Sequence, residues 1–257
     1  MLLDLKGLRS TFSLALIGLL LFLALGVAVA APWIRRQATA DLLTGRLILL
    51  DPGHGGADPG SVGSNGVLEK DVVLGVSLAL ARDLRSAGAT VVLTRQDDRD
   101  LSGLPARHPR RYRTDLYQRA TIIEALRPDL FLSIHANAYP DRSAQGAQTF
   151  YRPDPLGQNR RLATAIQREL VAVTGMVDRG ISSDIRQLVL NRAEMPAATV
   201  EIGFLSNPEE ERRLTDPEYQ KKVAWGVFLG VIRFLEEAPL PAEAPPARSQ
   251  RGAAGAR

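Results

Sequence analysis

From residue 46 onward, short apolar runs alternate with longer segments of helical periodicity, and that alternation leaves few folds open. Strands are expected at Leu47–Leu50, Thr90–Leu93, Leu130–Ile134, Ala147–Tyr151, Leu188–Asn191 and Ala198–Ile202. Helices are expected from Glu69 to about Ser86, over Leu116–Leu126, from Gln158 to about Val173, and over Pro217–Glu237. Asn207-Pro208-Glu209-Glu210 reads as one more helix start, with an N-cap, proline at the first position and acids in the first turn. Short apolar strands flanked by helices indicate an α/β fold, a single domain with a mostly parallel central sheet buried between helices. Ligands of such sheets sit beyond the carboxyl ends of the strands.

The chain has 257 residues, 45% hydrophobic and 23% charged, enough for one domain with a real core. It contains no cysteine, which excludes disulfides, iron–sulfur clusters, thiolate zinc sites and a cysteine nucleophile. A transition-metal site must draw on the three histidines, His54, His108 and His135, together with Asp or Glu. Net charge is +4, and all but four of the 32 basic residues are arginine. No contiguous basic block with interleaved aromatics occurs, so nucleic acid is not an expected partner.

The ends differ from the middle. Ser10 to Ile34 carries no charge and Thr11 to Ala31 is almost wholly apolar, while Lys6, Arg9, Arg35 and Arg36 flank the stretch. At about 1.5 Å per residue it spans a hydrocarbon core of about 30 Å. Segment 11–34, behind a short flank 1–10, is therefore expected to be a transmembrane helix. It is longer than a cleavable signal's apolar region, although Ala28-Val29-Ala30 offers a cleavage site and a secreted alternative. A linker is expected at 35–45, the catalytic domain at 46–237, and a disordered tail rich in Pro, Ala and Arg at 238–257. A short N-terminal tail before a large C-terminal domain favours a domain outside the cytoplasm.

Chemistry gathers at strand ends. The first strand runs into Asp51-Pro52-Gly53-His54-Gly55-Gly56, the third into Ser133-Ile134-His135-Ala136-Asn137, and a later one into Thr199-Val200-Glu201-Ile202-Gly203. Glu69 opens the helix after a glycine-rich loop. Two histidines and one carboxylate match a three-ligand catalytic zinc site, and a further carboxylate can act as general base. Taken singly, each also has an ordinary role: a loop histidine, a first-turn acid, an ion-paired strand carboxylate.

The stretch ILLDPGHGGADPGSVGSNGVLE (Ile48–Glu69), with SIHAN (Ser133–Asn137) and VEIGFLSNPEE (Val200–Glu210), resembles the family 3 N-acetylmuramoyl-L-alanine amidases. The likeness runs in order over Leu47 to Glu237. It implies one zinc ion held by His54, Glu69 and His135, with Glu201 as the catalytic carboxylate, and cleavage of the amide joining muramic acid to L-alanine in peptidoglycan. RRYRTDLYQRATII (Arg110–Ile123), GAQTFY (Gly146–Tyr151) and the N-terminal segment resemble the sporulation-associated members, which implies a part in forming muramic-δ-lactam in spore cortex. The wall-binding repeats usual in the family are missing, which leaves targeting to the membrane segment or an activating partner protein. Arg119, at a position usually basic in the family, is a candidate for orienting the site loop or touching substrate, or only for pairing on the surface. Asn137 is a candidate for hydrogen-bonding substrate or capping a turn. His108 lies in an arginine-rich loop, and Glu194 is a rival for the catalytic carboxylate. The competing functions are a zinc peptidase cutting within the stem peptide and an inactive wall-binding scaffold.

Overall fold

The computed structural model describes residues 39–237. The expected transmembrane segment 11–34, the flank 1–10 and the tail 238–257 lie outside them. Among the described residues no helix is long and apolar enough to cross a membrane. In chain order the elements are β1 (Leu47–Pro52), α1 (Glu69–Ser86), β2 (Thr90–Leu93), α2 (Arg111–Leu126), β3 (Leu130–Asn137), β4 (Ala147–Tyr151), α3 (Gln158–Thr174), β5 (Asp178–Ser183), α4 (Leu188–Asn191), β6 (Ala197–Phe204), α5 (Pro208–Leu214) and α6 (Pro217–Glu237).

One six-stranded sheet, in the order β2-β1-β3-β6-β4-β5, forms the middle layer. The pairs β1–β2, β1–β3, β3–β6 and β4–β5 are parallel, whereas β4 runs antiparallel to β6. The sheet is therefore mixed, with a parallel limb of four strands and a reversed limb of two.

The two faces differ in chemistry. Because side chains alternate with period two, Ile48 and Leu50, Leu130, Leu132 and Ile134, and Val200 and Ile202 fall on one face, beneath α1, α3 and α6. Along β1, β3 and β6 that face is apolar, and on β4 it holds one buried polar pair, Thr149 Oγ1 donating to Gln167 Oε1 of α3 at 2.9 Å. The opposite face begins apolar, with Leu49, Phe131 and Ala197 packed against Ile123 of α2 and Val189 and Leu190 of α4. Two residues further along each strand it turns polar: Asp51, then Ser133 and His135, then Thr199 and Glu201. The carboxyl ends of β1, β3 and β6 thus carry their polar groups on one side of one sheet.

Several elements depart from the sequence expectation. Leu188–Asn191 is a single helical turn, not a strand; its apolar residues cap the second face. Asp178–Ser183, polar and glycine-containing, was not expected as a strand and forms the outer edge through its pairing with β4. β3 and β6 run past their expected ends, so His135, expected just beyond its strand, lies within β3, while Glu201 lies within β6 as expected. The linker expected at 35–45 is partly structured, since residues 39–43 are helical and Leu43 is buried in the core. The helix start at Asn207 is as expected: its side chain accepts hydrogen bonds from the backbone N–H groups of Glu209 and Glu210.

Helices α3 and α6 approach each other through Gly226 and Gly230, spaced one turn apart. A Cβ at Gly230 would lie 2.4 Å from the Cα of Ile166, and one at Gly226 would lie 2.9 Å from the Cα of Leu170. The obstacle is backbone, so the helices would have to separate. Gly230→Ala should destabilise the protein by about 1–3 kcal/mol from overpacking, although alanine adds about 1 kcal/mol of helix propensity. A urea unfolding midpoint unchanged or raised in this variant would contradict the packing described here.

Candidate active site

The loop after β1 is held from below by two buried arginines. Arg95 is 1% exposed and donates to the carbonyls of Pro52 (3.0 Å), Gly53 (2.7 Å) and Lys70 (2.8 Å). Arg119, 2% exposed on α2, donates to Asp51 Oδ1 (2.5 Å), to the carbonyls of Pro52 (2.9 Å) and His54 (2.5 Å), and to Asp115 Oδ2 (2.7 Å). Asp51 also accepts from Thr94 Oγ1 (2.7 Å) and Ser133 Oγ (2.8 Å). Burial would raise the Asp51 carboxyl, but the Arg119 charge and these hydroxyls hold it below the usual carboxylate range. With its carbonyls fixed, the chain takes His54 into the left-handed region, φ 60°, which is uncommon outside glycine.

That turn aims the His54 ring at Glu69. His54 Nε2 lies 3.1 Å from Glu69 Oε1, and His135 Nδ1 lies 2.9 Å from the same oxygen. The two imidazoles meet edge to face, with centroids 4.9 Å apart. One ligand atom from each of His54, Glu69 and His135 falls within 4.8 Å of the others. Glu69 is fixed at the start of α1 by Ser61 N on Oε2 (2.8 Å) and Ala136 N on Oε1 (3.0 Å). The second bond is available because the β3–β6 register shifts between His135 and Asn137. Gly53 is required by the close approach of the His135 ring, since a Cβ there would lie 2.3 Å from Cε1.

The donor set suits a divalent cation. His54 places its other nitrogen, Nδ1, 2.8 Å from Asp58 Oδ2, the carboxylate–histidine arrangement that orients metal-ligating imidazoles. Burial works against a charge on His54, yet the hydrogen bonds to Asp58 and Glu69 outweigh it and push the ring up to about 10. Burial likewise disfavours the Glu69 carboxylate, but both histidines hold it well below the ordinary range. The three groups draw positive charge to the point where they converge.

Glu201 stands beside this cluster. In the parallel β3–β6 ladder it is the direct partner of His135. Its Oε2 is buried and has no hydrogen-bond partner among the described residues. Burial pushes its carboxyl up to about 7, with the neighbouring His135 pulling the other way. His54, Glu69, His135 and Glu201 all line one cleft of about 640 Å³ at the carboxyl ends of the strands.

The other candidates separate cleanly. Glu194 is exposed and lines a different cleft with Arg152 and Asn159. His108 is exposed in its loop, where Nδ1 accepts from Arg110 N at 3.2 Å. Asn137 reaches the cleft, with its Oδ1 accepting from Ala138 N at 2.8 Å. Arg119 has its guanidinium committed to carboxylates and carbonyls, so it supports the His54 turn and does not present a free fork to substrate. Sequence reading missed Asp51, Asp58 and Arg95. The signal for Asp58 was its spacing of four from His54 within the glycine-rich loop.

A family profile described as N-acetylmuramoyl-L-alanine amidase matches residues 48–233. The chain belongs to that family. Its reaction is hydrolysis of the N-acetylmuramoyl–L-alanine amide of peptidoglycan. The germination-specific N-acetylmuramoyl-L-alanine amidase of Bacillus subtilis is 39% identical over 202 residues, covering 78% of this chain and 84% of that protein. The solved CwlD amidase from Clostridioides difficile, in complex with the GerS lipoprotein, is 35% identical with a TM-score of 0.72 and covers 75% of this chain and 99% of its own. The amidase LytC of Bacillus subtilis is 34% identical over 75% of this chain but only 36% of its own length.

Removing the cation beneath the site should be costly. Arg119→Met leaves Asp51 charged, buried and unpaired, and should cost about 3–5 kcal/mol of stability. Chemical denaturation measures it; a loss below about 1 kcal/mol would show that Arg119 is not the support of this turn.

Proposed function

We propose that this amidase is a zinc enzyme anchored by segment 11–34 with its domain outside the cytoplasmic membrane, and that it acts in spore cortex to prepare muramic-δ-lactam. The observation that carries the catalytic part is the convergence of His54, Glu69 and His135 beside a buried carboxylate oxygen with no partner. The sporulation part is supported by likeness to the germination-specific amidase of Bacillus subtilis and to CwlD. The CwlD structure holds a lipoprotein, which supports an activating partner for this chain as well. The anchor rests on the length and apolarity of 11–34.

A zinc ion held by His54, Glu69 and His135 supplies Lewis acidity toward the lactyl carbonyl and toward water. Glu201 takes a proton from the attacking water as its oxygen bonds to the carbonyl carbon. The same carboxyl then delivers that proton to the alanine nitrogen as the carbon–nitrogen bond breaks, leaving the lactyl acid and a free peptide amine. Burial raises the Glu201 carboxyl above the usual carboxylate range, the direction that suits a group taking and returning a proton near neutral pH. Asp58 holds the His54 ring so that Nε2 faces Glu69.

Glu201→Gln keeps the shape of the side chain but cannot accept the proton. It should leave the fold and zinc content near wild type and lower turnover by at least ~10²-fold. Mass spectrometry of digested peptidoglycan should show release of intact peptides that begin with L-alanine. Fragments cut inside the stem peptide would assign a peptidase instead, and near-normal activity of the Gln variant would remove Glu201 from the mechanism.

His54→Ala, Glu69→Ala and His135→Ala should each fail to retain stoichiometric zinc on elemental analysis, because two ligands close the site poorly. Asp58→Asn should weaken zinc binding by about 10–100-fold while leaving all three ligands in place. Full zinc occupancy in any of the three ligand variants would exclude that residue from the metal site.

A further inference from the structure

We propose that Arg186 selects the peptide, by pairing with a carboxylate carried within the first two residues beyond the scissile amide; this rests on the amidase reading. The cleft wall is rich in carboxylates, with Asp58, Glu69 and Glu201 on its floor. An anionic peptide group finds no welcome there. Apart from the histidines, the cations lining the cleft are Arg119 and Arg186. Arg119 is buried and fully committed. Arg186 is the opposite case, with its side chain 89% exposed and only Nε engaged, on Asp184 Oδ1 at 3.2 Å. Its two terminal nitrogens make no hydrogen bond or ion pair among the described residues. They form the fork that grips a carboxylate in bidentate fashion.

The backbone under Arg186 is built to hold it in place. Asp184 N donates to the carbonyl of Tyr151 (3.0 Å), and Asp184 Oδ1 accepts from Arg186 N (2.8 Å). Gln187 Oε1 accepts from Thr199 Oγ1 at 2.6 Å, tying the segment to β6. Thr199 and Glu201 share one face of that strand, roughly 7 Å apart along it. An extended peptide advances about 3.5 Å per residue. In the proposal the substrate amide sits at Glu201 and the next one or two residues run past Thr199 toward the segment that carries Arg186 and Gln187. Leu116 of α2 and Leu188 of α4 line the cleft as well, an apolar wall suited to the small alanyl side chain.

The experiment uses two synthetic muramoyl peptides that differ only in whether the second residue's free carboxyl is an acid or an amide. The zinc-loaded protein, Arg186→Gln and Arg186→Glu are compared by the ratio of kcat/KM for acid over amide, which does not depend on how much protein is folded. For an exposed pair the wild-type ratio should be about two- to fivefold and should shrink with added salt. It should fall to near one in Arg186→Gln and below one in Arg186→Glu. A wild-type ratio near one, or a ratio unchanged by Arg186→Gln, would overturn the assignment while leaving the amidase reading intact. Cleavage of neither peptide would overturn the amidase reading, and this inference with it.

Discussion

The site stands on a buried ion pair. Asp51 at the end of β1 and Arg119 on α2 are each about 2% exposed, and removing two such charges from water is expensive. What offsets the expense is the completeness of the network. Thr94 and Ser133 satisfy the carboxylate, and the remaining guanidinium donors reach the carbonyls of Pro52 and His54. A hydrophobic pair of equal volume would pack as well, but it would leave the His54 carbonyl without its donor and the Pro52 carbonyl with Arg95 alone. The network therefore exchanges some stability for a fixed backbone, and the left-handed His54 is the conformation it fixes. Without that turn, Nε2 would not face Glu69.

From there the strand period does the rest. β1, β3 and β6 are in parallel register, with Asp51 opposite Ser133 and His135 opposite Glu201. Each strand hands its last inward residues to the same side of the sheet, where α2 and the short α4 leave the ends uncovered. A polar residue in this position would be a fault elsewhere in the core. Here the faults are placed side by side: Ser133 bonds Asp51, His135 pairs with Glu69, and Thr199 bonds Gln187. Glu201 Oε2 is the one left over, which is why its carboxyl holds its proton more firmly than an exposed glutamate would.

Much of this was legible in the residues. Apolar runs ending in DPGHGG, SIHAN and VEIGF located the strand ends and named three of the four groups that converge, and Glu69 was found as the acid opening the helix after the glycine-rich loop. Backbone-driven elements were not legible. Asp178–Ser183 is a strand through its ladder with β4 and has no apolar alternation to announce it. Leu188–Asn191 is four residues long, too short for period two and period 3.6 to be told apart. The first turn of α2 was missed because Arg111 and Asp115 are buried for the sake of ion pairs and hydrogen bonds with the 100–101 loop, which no hydrophobic pattern records. Arg95 escaped notice for the same reason, and Arg119 was read as a candidate for orienting the site loop but not as buried: a buried arginine looks like a surface one until its partners are known.

The reversed limb of the sheet has a consequence of its own. None of the four convergent groups comes from β4 or β5, yet the segment that follows β5 forms one lip of the cleft. The convergent groups and the lip thus come from separate stretches of chain. Substitutions in the lip can reshape the mouth of the cleft without touching the convergent cluster, whose geometry the buried arginines beneath it hold still.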